Sequence, residues 1–210
     1  MNAPSASRHK LLRQGLAIEI ALITWNLIEG VVAIASGLIA SSVALIGFGI
    51  DSGIEIVSAA VVTWRLWLEF RGAPDDRVDR VERRAARIAG SILLLLAVYI
   101  IVEAGRRLFG GGPEAETSFI GIALTAASIL VMPLLGWFKL RVARQLDSAA
   151  LRADSIQTLA CVWLSVATLA GLALNAAFGW SWADPLAALL VLPIVVREGI
   201  EGLLGEQRCC

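Results

Sequence analysis

Two carboxylates, Asp51 and Glu55, sit in a run that is otherwise apolar and glycine-rich, Ser42-Val-Ala-Leu-Ile-Gly-Phe-Gly-Ile-Asp-Ser-Gly-Ile-Glu55. The surrounding stretch from Leu38 to Trp67 is apolar enough to cross a bilayer. Counted inward from Ser41 at 1.5 Å per residue, Asp51 lies about 15 Å deep, near the midplane. A spacing of four puts both carboxylates on one helix face. A bare carboxylate at that depth is costly, so such acids pair with each other, with a cation or with a proton. Two side by side need a counter-charge, which a divalent metal or protons supply. The plainer reading is that both are protonated or hydrogen-bonded to neighbouring helices. Gly49 and Gly53 make a small-xxx-small pair around Asp51 that would let another helix come close.

The rest of the chain reads the same way. Hydrophobic residues make up 58% of its 210 positions, and the mean hydropathy of +0.76 is that of an integral membrane protein. Six spans are predicted, at about 16–36, 39–68, 88–108, 118–138, 149–176 and 185–204, between short tails at 1–15 and 205–210. The expected class is therefore an all-α membrane bundle. Formal charge is zero, which gives no support to a nucleic-acid partner. Cys161, Cys209 and Cys210 make no disulfide framework. The last two suggest a metal-handling pair, a lipidation site or a frayed tail. No signal peptide is read at the N-terminus.

Charged residues outside the spans set the expected topology. Arg8, Lys10 and Arg13, the stretch Arg65 to Arg87, Lys139 to Arg152, then Arg197 and Arg208 fall on one side; Arg106 and Arg107 fall on the other. Basic residues favour the inside, so both termini are expected in the cytoplasm. Asp75 and Asp76 belong to a polar connection. Glu103, Arg106 and Arg107 are expected to snorkel to the interface. Pro133 suggests a kink. Asp184 before Pro185 suits a helix N-cap. In the first span Asn26 and Glu29 share a face, where Glu29 either lines a pathway or bonds a neighbouring helix.

A faint repeat links the second and fifth spans. Ser42-Val-Ala-Leu45 resembles Ser148-Ala-Ala-Leu151, and extending both without gaps sets Asp51 over Gln157 and Glu55 over Cys161. The two spans run in opposite directions, as in inverted-repeat transporters. Gln157 and Cys161 share a face and reach a depth similar to that of the acids. Asp154 shares that face and is either a ligand or an acid paired with Arg152. Cys161 is either a ligand or a small hydrophobe.

These residues resemble the cation diffusion facilitators, also called the cation efflux superfamily, over nearly the whole chain. Ser42-x-Ala-Leu-x6-Asp51-x3-Glu55 is similar to the family's second helix, and Ala150-Leu-Arg-Ala-Asp154-Ser-Ile-Gln157-x3-Cys161 to its fifth. Gly179-Trp-x-Trp-Ala-Asp-Pro-Leu-Ala-Ala188 is similar to the start of its sixth. Glu55 stands for the usual Asp, and Gln157 and Cys161 stand for His and Asp. No counterpart of the family's cytoplasmic C-terminal domain is read, so the short branch of the superfamily is expected.

The resemblance implies a six-helix bundle, a homodimer and a tetrahedral metal site. Carried over by position, its ligands are Asp51, Glu55, Gln157 and Cys161, with Asp154 as an alternative third oxygen donor and Glu29 less firmly attached. It implies export of a divalent metal across the cell membrane in exchange for protons. A thiolate among the donors favours Zn²⁺ or Cd²⁺ over Mg²⁺ or Ca²⁺. No tightly bound cofactor is expected. A transport-degenerate scaffold or modulator is the alternative. A membrane enzyme is not expected: no Gly-x-Ser-x-Gly or His-Glu-x-x-His occurs, and the lone histidine is His9.

Overall fold

The structure, a computed structural model, describes residues 5–71, 78–110 and 114–204. It holds six helices: α1 (Ser5–Ile39), α2 (Val43–Phe70), α3 (Val78–Leu108), α4 (Phe119–Leu146), α5 (Ala149–Phe178) and α6 (Ala183–Leu204). No strand occurs among the described residues. Among the described residues, four helices, α1, α2, α4 and α5, are long and apolar enough to cross a membrane. Asp75, Asp76, Cys209 and Cys210 lie outside the described residues.

Serines start three of the helices. Ser42 Oγ accepts from Leu45 N–H at 3.0 Å, Ser118 Oγ from Gly121 N–H at 3.1 Å and Ser148 Oγ from Leu151 N–H at 3.4 Å. Each satisfies a backbone donor left open at a helix start. The repeated Ser-x-Ala-Leu is thus an N-cap and its first turn, used at the head of both α2 and α5. Between α1 and α2 the chain turns at Ala40–Ser42, with Ser41 at φ 51, so the predicted second span begins too early.

The N-terminal segment expected as a tail is helical from Ser5. Leu12 packs with Val62, Leu66, Val142, Leu146 and Leu151 in a small apolar cluster. Arg8 pairs with Glu69 at the same end. A larger core, including Leu22, Leu45, Phe48, Leu96, Leu164 and Val191, fills the middle. Large apolar side chains such as Leu95, Leu130 and Leu190 face outward, each more than two-thirds exposed, as lipid contact requires.

Three local expectations change. Asp184 does not cap its own helix. It is buried, and it accepts from Val43 N–H at 2.8 Å and from the Ser42 hydroxyl, so it closes the start of α2 from across the bundle. Arg107 does not reach for the interface but turns in to the Ser41 carbonyl, held also by Glu103 at 3.1 Å. Gly49 and Gly53 are unlike. A Cβ on Gly49 would meet Ile34 Cγ1 at 2.7 Å, whereas one on Gly53 would meet nothing within 4 Å. Only Gly49 lets α1 and α2 close up.

Candidate cation site

The second and fifth helices run antiparallel, and two contacts fix their register. Ser58 Oγ donates to Asp154 Oδ1 at 2.6 Å. Two turns away, the Cys161 thiol lies within hydrogen-bonding reach of the Asp51 carboxylate. Asp51 is seven residues before Ser58 and Cys161 seven after Asp154, so one register serves both contacts. Glu55 and Gln157 each lie three residues along from the Ser58–Asp154 pair and fall at one level. Asp51, Glu55, Asp154, Gln157 and Cys161 are therefore stacked along one helix–helix seam. Asp51, Glu55 and Cys161 are buried and Gln157 is half-buried.

The first helix forms a third wall. Asn26 Nδ2 donates to Glu55 Oε2 at 2.9 Å, and Ser52 Oγ donates to Glu29 Oε2 at 2.9 Å. Ser128 of α4 donates to the other oxygen of Glu29. Asn26 and Glu29 are three apart, as are Ser52 and Glu55, so these contacts too belong to one antiparallel register. Of the two readings of Glu29, the bonded one describes its geometry. It nonetheless stands beside Asp51, close enough for the charges to interact.

Toward the other end of the seam lies a group that the sequence reading placed outside the membrane. Lys139 of α4 is fully buried, with 0% of its side chain exposed. It pairs with Asp154, stands 3.3 Å from Glu19 Oε1 and donates to Thr158 Oγ1 at 3.3 Å. Asp154 is therefore paired with Lys139, not with Arg152, which is exposed. The signal that could have found Lys139 is its spacing. Thr125, Ser128, Met132, Gly136 and Lys139 recur at three and four, marking the inward stripe of α4, and all are buried.

Levels follow from helical rise. Glu55 lies about 4.5 Å along α2 from Ser58, and Asp51 about 10 Å. The carboxylates Glu19, Glu29, Asp51, Glu55 and Asp154 are all buried within the bundle, and Lys139 is the only buried basic side chain among the described residues. One ammonium cannot offset five carboxylates, so this interior needs cations or protons to be neutral. No three His, Cys, Asp or Glu side chains among the described residues converge closely enough to hold an ion. Asp51, Glu55 and Asp154 are each engaged by a group of the protein.

The chain was compared with known proteins. A profile of the cation efflux transmembrane domain matches residues 20–203. An uncharacterized transporter of Synechocystis is 32% identical over 177 residues, 83% of this chain and 55% of that protein. A cadmium, cobalt and zinc/H⁺-K⁺ antiporter of Bacillus subtilis is 27% identical over 191 residues, 89% of this chain and 61% of that one. The manganese efflux system protein MneS of the same organism is 24% identical over 188 residues, 88% and 64%. The chain thus spans less than two-thirds of the length of these relatives.

Proposed function

The chain belongs to the cation efflux family, and from that premise we propose that it carries divalent metal ions across a membrane through the α2–α5 seam. The observation that carries this reading is the contact of Asp51 with Cys161 at the level next to Glu55 and Gln157. Acids on one helix and an amide and a thiol on its antiparallel neighbour form a donor set of the right charge for a doubly positive ion. Rotation of Glu55 away from Asn26 and of Cys161 away from its hydrogen bond frees both for the metal. Asp154 is taken by Lys139 and is not assigned as a ligand. Glu29 lines the path beside Asp51.

Metal ligands have to lose protons on binding. Metal arriving at the seam therefore releases protons, and protons arriving release metal, which makes exchange of the two the natural cycle. The Bacillus antiporter, named for cadmium, cobalt and zinc, supports this reading. A thiolate donor favours Zn²⁺ or Cd²⁺, whereas the likeness to a manganese efflux protein keeps a harder ion in the competition assay. The six helices are assigned as six spans with both ends in the cytoplasm, in a homodimer of the cell membrane. Maleimide labelling of Cys209 and Cys210 in sealed, right-side-out cells tests the topology, since Cys161 is buried. No enzymatic step is assigned.

The deciding experiment is metal uptake into proteoliposomes holding the purified full chain. Asp51→Ala is expected to abolish uptake while the protein still elutes as a folded species. Uptake at the parent's rate in that variant rules out the seam as the site. A second reading has one observation in its favour, that no three ligating side chains converge among the described residues. On that reading the chain is a transport-degenerate scaffold or modulator of a related transporter, and the parent itself moves no metal.

A further inference from the structure

Lys139 is not among the proposed metal ligands, yet it sits fully buried at one end of the seam, bonded to Asp154. Its ammonium is bonded to Asp154, stands 3.3 Å from Glu19 and lies within electrostatic range of Glu55. Both Glu19 carboxylate oxygens and the Asn26 amide oxygen are buried without an aligned donor. The cluster therefore offers more acceptors than donors. A buried ion pair is weak evidence for a stabilising role, because apolar side chains of similar volume often replace one at no cost. An ionisable group inside a membrane bundle instead points to the ion path.

The geometry points to Lys139 as a tethered counter-cation of the transport path, a positioning residue that sets how tightly the metal is held. The inference rests on the proposed metal site at Asp51 and Glu55. With no metal bound, the fixed charge offsets part of the negative charge of Glu19, Asp154 and Glu55. With metal bound, the same charge repels it. Repulsion scales with charge, so a divalent ion feels it twice as strongly as a proton. Lys139 thus limits how tightly an interior with five acids holds the metal. At roughly 10 Å and an effective dielectric of about 20, the repulsion corresponds to on the order of a hundredfold in metal affinity.

The test is Zn²⁺ titration calorimetry on the purified full chain in detergent at fixed pH, with four variants of the cluster and Asp51→Ala as a fifth. K139M is expected to bind Zn²⁺ on the order of a hundredfold more tightly than the parent, and to release it more slowly in proteoliposomes. K139R keeps the charge and stays within about twofold. E19Q removes one negative charge and binds more weakly. K139M/E19Q removes one charge of each sign and returns toward the parent. Opposite shifts for K139M and E19Q that cancel in the double variant are the signature of charge. If K139M does not fold, the comparison of E19Q with K139M/E19Q decides. Tighter binding by the double variant upholds the inference; equal or weaker binding overturns it. Affinity unmoved in K139M, or moved in the same direction by K139M and E19Q, also overturns it. A parent that binds no Zn²⁺ overturns the metal-site reading and this inference together. Parent binding that Asp51→Ala abolishes, without the charge pattern, overturns the inference alone.

Discussion

Two glycines one turn apart on α2 give a controlled test of how the acidic helix is seated. A methyl on Gly49 would lie 2.7 Å from Ile34 Cγ1, 3.0 Å from the Ile34 backbone nitrogen and 3.1 Å from Ala33 Cβ. The side-chain contact can be relieved by rotation, but the backbone one cannot. The whole of α1 has to withdraw by a few tenths of an ångström, taking Asn26 and Glu29 from their partners on α2. Overpacking of this kind costs about 1–3 kcal/mol. Exchange of glycine for alanine inside a helix returns about 1 kcal/mol through backbone propensity. At Gly53 only the second effect operates, because nothing lies within 4 Å. Propensity cancels between the two variants, so G49A is expected to be less stable than G53A by about 1–3 kcal/mol. The midpoint for loss of the folded elution peak after heating should fall in the order G53A, parent, G49A. Metal uptake should drop in G49A and hold in G53A. Equal loss of stability in both variants would refute the α1–α2 packing described above, and with it the third wall of the seam.

Two further outcomes follow from other parts of the bundle. Asp184→Asn weakens the acceptor that closes the start of α2, where Val43 N–H and the Ser42 hydroxyl both donate to it; buried hydrogen bonds to a charged group are worth about 1.5–3 kcal/mol, so a loss within that range is expected in thermal unfolding. Cys161→Ser keeps a donor for Asp51 but replaces a soft atom with a hard one. In competition uptake the preference for Cd²⁺ over Mn²⁺ should fall, and an unchanged preference removes the thiol from the ligand set.

The sequence made most of the apolar architecture legible and much less of the polar interior. Long hydrophobic runs and serine N-caps report local chemistry, so helix starts at Ser118 and Ser148 fall within a residue of the predicted spans. The family match over residues 20–203 agrees with motifs visible in the second, fifth and sixth helices. Lys139 was hidden because a basic residue after an apolar run reads as an interfacial flank. Only the inward stripe through Thr125, Ser128 and Met132 reveals that α4 continues past it as a buried surface. Asp184 was misplaced for a related reason. Asp before Pro is a local capping signal, whereas the N–H groups it serves belong to Ser42–Val43, more than a hundred residues away in sequence. Gly49 and Gly53 look alike in sequence, and only the position of α1 separates them.

The polar pairings along the seam explain how a site can be both stable and able to turn over. A bare carboxylate in the bundle would be costly, so each acid of the seam is engaged by a protein group: Asp51 by the Cys161 thiol, Glu55 by Asn26, Glu29 by Ser52 and Ser128. On the proposed function, a metal entering the seam does not meet waiting lone pairs; it replaces hydrogen bonds already made. The net gain on binding is then the difference between two satisfied states, smaller than the gross attraction of two carboxylates for a divalent ion. A preassembled tetrahedral cage of the same ligands would hold its ion more tightly and release it more slowly. Asn26→Leu separates these cases. It removes the partner of Glu55 without touching any proposed ligand. If bound metal competes with the Asn26 hydrogen bond, Zn²⁺ affinity in this variant rises; if Asn26 instead orients Glu55 for the metal, affinity falls, and the picture of exchange between satisfied states is wrong.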